Sequence, residues 1–148
     1  MFILIVLFGS LLFFRGLGAL GVPIFRSWKD CARYGLAVML CFTASAHFTP
    51  MRNDLLKMVP PWMPNADATI YVTGALESLG AIGLCIPRLR HITGIALVLL
   101  FLAVLPANIH ASQIGATIHG KPVMALGLRI PMQLVFIAIA WWSTRKKK

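Results

Sequence analysis

An all-α, membrane-embedded helical bundle is the fold this sequence predicts, and three observations predict it. Hydrophobic residues make up 59% of the 148-residue chain and charged ones only 12%, where an ordinary soluble domain carries about 25% charged residues. Five apolar stretches each approach the roughly 20 residues an α-helix needs to cross a bilayer. The 14 Lys and Arg against 4 Asp and Glu, a formal net charge of +10, are shared unevenly among the segments between those stretches. The apolar content excludes the usual basic nucleic-acid-binding domain, which needs a wettable Lys/Arg face. It also excludes a disordered chain and a large soluble enzyme with a core of its own.

The spans follow in order. The first covers residues 2–20 and is broken only by Arg15. A signal peptide is the other reading of this stretch, but it lacks a basic n-region and offers only ALGVP (19–23) as a weak cleavage site, so it is expected to stay as a span. The second covers 34–48. The third covers 68–86, with Glu77 in its middle, the fourth 92–109 and the fifth 126–142. Helices are required, because five strands close no barrel and open sheets are not tolerated in lipid. Pro23 ends the first span and Pro87 the third, Pro122 leads into the fifth, and Pro50, Pro60, Pro61 and Pro64 predict a rigid loop after the second.

Orientation comes from the basic residues. Arg26, Lys29, Arg33, Arg88, Arg90, Arg145 and Lys146 to Lys148 fall on one side, nine in all. Arg52, Lys57, Lys121 and Arg129 fall on the other, and the positive-inside rule then places the N-terminus outside and the C-terminus in the cytoplasm. Trp141 and Trp142 beside the basic tail read as an interfacial anchor, and the tail is suited to anionic lipid. Cys31, Cys41 and Cys85 are an odd number without a CxxC, which points to small apolar helix residues rather than a redox pair.

The polar residues of the spans collect toward the outer side. The second span ends in Ser45, His47 and Thr49, the fourth in Asn108 and His110, and the fifth starts with Arg129 and Gln133 around Pro131. Glu77 is the sharpest of them, since a carboxylate at helix centre costs about 2.5–3.5 kcal/mol on insertion scales and must face the bundle. Arg129, which enters from the same side, is its expected partner, with His47 the second choice. Gly74, Ser78 and Ala81 make one small-residue stripe, and Gly80 and Gly83 a neighbouring face, both suited to close helix approach. His47, His110 and His119 share a side but match no metal-ligand spacing, and no nucleotide, nucleophile or metalloprotease motif is present.

The runs HFTP (47–50), MVPPWMP (58–64), YVTGALESLGAIGL (71–84), IPRLRHITGIALVLL (86–100), PANIHA (106–111) and RIPMQ (129–133) resemble the DoxX-like family of small bacterial membrane proteins. The similarity spans roughly residues 33–143. It implies a four-helix core, here with one transmembrane helix added before it. It also implies relatives that accompany quinone-linked sulfur oxidation or membrane oxidoreductases, and a distant branch similar to a receptor chaperone. Carried over, it selects His47, Glu77, Asn108, Arg129 and Gln133 as pocket residues, the same set that polarity selects. Two functions follow as expectations. One is a membrane subunit binding a lipophilic molecule such as a quinone, with membrane lipids around it and a redox partner supplying electrons. The other is a non-enzymatic scaffold or assembly factor for another membrane protein, or for a second copy of itself. A small transporter ranks below both.

Overall fold

Long apolar runs propagate as helices, and the computed structural model, which describes residues 2–118 and 120–145, is mostly helical. Helix α1 spans Phe2–Ala19, and a 3-10 turn at Pro23–Phe25 leads into α2, Trp28–Phe48. A short α3, Arg52–Met58, precedes α4, Ala66–Cys85. Helices α5, Arg90–Ala103, and α6, Leu105–Gln113, continue one another except at Val104. Pro106 accounts for that break, because it cannot donate to the carbonyl four residues back. Helix α7, Leu126–Thr144, closes the chain and holds Pro131 in its interior.

Among the described residues, four helices are long and apolar enough to cross a membrane: α1, α4, the joined α5–α6 and α7. Helix α2 matches them in length, at 21 residues, but brings Lys29, Asp30, Arg33 and His47 into the fold. It starts six residues before the expected span, at Trp28 instead of 34, because these charged residues continue the helix rather than forming a loop. The proline-rich segment after it is not loop throughout, since α3 occupies Arg52–Met58 between Pro50 and Pro60. A two-residue antiparallel ribbon, β1 Thr117–Ile118 with β2 Lys121–Pro122, is the other departure from an all-helical chain. His119 and Lys146 to Lys148 lie outside the described residues.

The long helices alternate in direction and form a ring in which α2 packs on α4, α4 on α5, α5 on α7 and α7 on α2. Helix α1 lies outside the ring against α2. The ring centre is apolar, filled by Leu36, Leu40, Leu84, Leu97, Phe101 and Phe136. A smaller apolar cluster of Met58, Ala111 and Ala116 seals the end where α3, α6 and the ribbon meet.

The two small-residue faces of α4 meet two different neighbours. A Cβ on Gly74 would lie 2.6 Å from the His47 Cβ on α2, while one on Gly80 would lie 2.6 Å from Leu97 Cδ2 on α5. Gly83 faces Thr93 on α5 in the same way. These contacts let α4 sit close against both neighbours at once. The Gly74 contact is the more constrained, because the atom it meets is the root of a side chain and not its flexible end. Gly74→Val is expected to lower stability in detergent by about 1–3 kcal/mol, the usual cost of overpacking. Gly9→Val, where nothing lies within 4 Å of the added Cβ, is the control and should unfold like the parent chain.

Candidate functional site

The five residues singled out by polarity are all drawn into the bundle, but they do not form one site. His47 ends α2 and Glu77 lies midway along α4, so both face the α2–α4 seam. Thr43, one turn before His47, donates a hydrogen bond to Glu77 Oε2 at 2.8 Å. His47 Nε2 stands 3.8 Å from the same oxygen. The other ring nitrogen, Nδ1, lies 2.8 Å from the Ile70 carbonyl oxygen. A carbonyl only accepts, so Nδ1 carries the proton of the neutral ring and Nε2 turns its lone pair toward Glu77. Gly74, three residues before Glu77 on the same face, makes the room that this seam needs.

The second group lies across the ring. Arg129, 9% exposed, donates from Nη1 to the side-chain oxygen of Asn108 at 3.0 Å, joining α7 to α6. The same nitrogen reaches the Asn108 carbonyl at 3.4 Å. One turn on, Gln133 donates from Nε2 to the Phe101 carbonyl at 2.7 Å. Phe101 belongs to the last turn of α5, where carbonyls lack an intrahelical partner, so Gln133 caps the end of α5 next to the Val104 break.

The expected Glu77–Arg129 pair is not formed. Helices α4 and α7 occupy opposite corners of the ring, and among the described residues His47 is the ionisable neighbour of Glu77. Nor do the histidines gather. His110 Nδ1 is 3.2 Å from the Met58 carbonyl and ties α6 to α3, away from His47. Among the described residues no group of three His, Cys, Asp or Glu side chains comes together. Two clefts stand out in the structure, and neither is lined by any of the five residues.

Two participants escaped the sequence reading. Thr43 is four residues before His47, which puts it on the same helix face. Arg33 read as a loop charge that marks sidedness, yet it is 6% exposed. Its Nη2 and Nε donate to the Ser143 carbonyl at 3.0 and 3.3 Å, and its Nη1 to Asp30 at 2.7 Å. It therefore caps the C-terminus of α7 with a cation, the favourable sign there. The signal was periodicity: Arg33 extends the buried stripe of Leu36, Leu40, Ala44 and His47 by one more turn.

The geometry defines a helical bundle with membrane-length apolar helices, cross-linked by buried polar side chains. Within that class, the chain belongs to the family described as Domain of unknown function (DUF8561), whose pattern matches residues 36–144. Comparison with curated proteins and with solved structures gives no match. The match holds all five candidate residues and begins after Arg33.

The Asn108–Arg129 bond offers a direct test. Asn108→Ala leaves a buried guanidinium without its side-chain acceptor and is expected to cost about 1.5–3 kcal/mol. Adding Arg129→Leu should restore part of that loss, so a double-mutant cycle by detergent unfolding should give a coupling of about 0.5–3 kcal/mol. Additive losses would mean that the two side chains do not act as a pair.

Proposed function

We propose that the chain is an integral membrane scaffold or assembly protein, non-enzymatic, in which His47, Glu77, Asn108, Arg129 and Gln133 hold the helices in register. The observation that carries this reading is that each of the five meets a group on a different helix. The setting is five spans in a bacterial inner membrane, with the N-terminus outside and the C-terminus in the cytoplasm. Support for it comes from the four membrane-length apolar helices and from tryptophans at both ends of the bundle. Trp28, Trp141 and Trp142 are about half exposed at the basic end and Trp62 is exposed at the other, as interfacial belts require. The DoxX-like runs quoted above belong to this reading as well. The partner is a membrane protein that docks on the apolar outer faces, or a second copy of the chain.

One observation favours a second reading, in which the Glu77–His47 seam binds a lipophilic carbonyl compound such as a quinone. Among the described residues, Glu77 Oε1 and His47 Nε2 have no hydrogen-bond partner. The 3.8 Å gap between Nε2 and Oε2 is too long for a direct hydrogen bond. A ligand hydroxyl, such as that of the reduced quinone, would use both, donating to the His47 Nε2 lone pair and accepting from Glu77 Oε1 when that carboxyl is protonated.

Glu77→Gln separates the two. On the scaffold reading it lowers the melting temperature by a few degrees or more. A protein partner then co-purifies in fixed ratio with the parent chain and is lost with the variant. On the quinone reading the ligand-free variant melts like the parent, quinone is found by mass spectrometry in the purified parent alone, and added ubiquinone raises only the parent's melting temperature. That second pattern would overturn the scaffold assignment.

A further inference from the structure

The basic end of the bundle holds a cleft that the polar seams do not reach. Its volume is about 290 Å³, and it lies where the starts of α2 and α5 meet the end of α7. Lys29, Arg33, Arg88, Arg90 and Arg145 line it, against one carboxylate, Asp30. Asp30 is already engaged, by Arg33 at 2.7 Å and by Arg90 at 3.9 Å. The cleft is therefore strongly cationic after its internal ion pairs are formed. Arg90 Nε is buried and has no hydrogen-bond partner among the described residues, an omission that costs stability unless something accepts from it.

Backbone electrostatics point the same way. The N-terminal caps of α2 and α5, Ser27 and Leu89, make no side-chain capping bond. Two helix N-termini thus bring positive dipole ends near the cleft, that of α2 with Asp30 in its first turn. Of the negative helix ends on this side, that of α7 is covered by Arg33, and that of α4, at Cys85, lies two residues before Pro87 of the lining. A solvated basic face would have its cations splayed and its helix ends capped from within. Here they converge on one concavity.

We infer that this cleft is a binding site for a phosphate-class anion, either the phosphate of an anionic lipid headgroup or free inorganic phosphate. Arg90 supplies directional donors, the two helix N-termini supply positive dipole ends, and Lys29 and Arg88 supply charge at the rim. Arg33 and Asp30 hold the floor. The chemistry is that of anion recognition at helix N-termini, reinforced by guanidinium groups suited to phosphate oxygens. Basic pockets between spanning helices bind phospholipid headgroups in this way. The site is independent of the assignment of the Glu77 seam.

The full chain, purified in a neutral detergent, tests this in two arms. The first measures thermal stability with inorganic phosphate against chloride at matched ionic strength. The second measures binding of the labelled chain to nanodiscs containing phosphatidylglycerol against phosphatidylcholine alone. Lys29→Gln with Arg88→Gln removes rim charge from two side chains that make no hydrogen bond among the described residues, so folding is kept. Lys121→Gln, at the opposite end, is the control. The expected result is saturable stabilisation or binding in at least one arm, weakened about fivefold for each rim cation removed and unchanged in the control. A response to phosphatidylglycerol alone assigns a lipid headgroup, and a response to phosphate assigns the free anion. No response in either arm, or equal responses from the double variant and the parent, overturns the site.

Discussion

Where most of the outer surface is apolar, a long polar side chain inside the bundle has few places to send its hydrogen bonds except to another helix. Arg33, His47, Glu77, Arg129 and Gln133 all obey this, and the ring of α2, α4, α5 and α7 is arranged around their reach. Apolar packing alone tolerates rotation and sliding of one helix past another. A carboxylate that must meet Thr43, or a guanidinium that must meet Ser143, does not. The apolar centre supplies contact area, and these few polar bonds select one register among those the area allows.

The bonds divide the molecule by depth. At one end α3, α6 and the small ribbon fold over the openings of the long helices, held by the His110–Met58 contact and the Arg52–Asp67 ion pair. In the middle, the Glu77 seam and the Gln133 cap lie on different sides of the ring. At the other end helix termini converge and positive charge is concentrated. The two ends thus differ in kind: one is sealed by short elements and side-chain staples, the other is open and cationic.

Residue type and spacing made much of this legible. Glu77 amid apolar neighbours announced a buried carboxylate, and Gly74, Gly80 and Gly83 announced close approaches, which the structure assigns to α2 and α5. Which polar groups would meet was not legible in the same way. Pairing depends on the order of helices around the ring, and that order puts α7 diagonal to α4, so Arg129 turns to Asn108 instead of Glu77. Arg33 was misplaced for a related reason. A cation near a span boundary reads as a marker of sidedness, and only the return of α7 shows that a helix end is waiting for it. Helix α3 was hidden because the flanking prolines, Pro50 and Pro60, signal loop while leaving room between them for a seven-residue helix.

The two partners of Arg33 stand at very different distances along the chain. Asp30 is three residues away, so their ion pair closes as soon as the first turn of α2 forms. Ser143 is 110 residues away, and its carbonyl becomes available only when α7 has been made and has returned to the basic end. Closing so long a segment is among the slower events for a chain of this size. The two bonds of one guanidinium thus ask for different amounts of structure. The Asp30 contact needs a single turn of α2, and the Ser143 contact needs the whole ring. A local carboxylate gives the buried cation a counter-charge that does not depend on the return of α7.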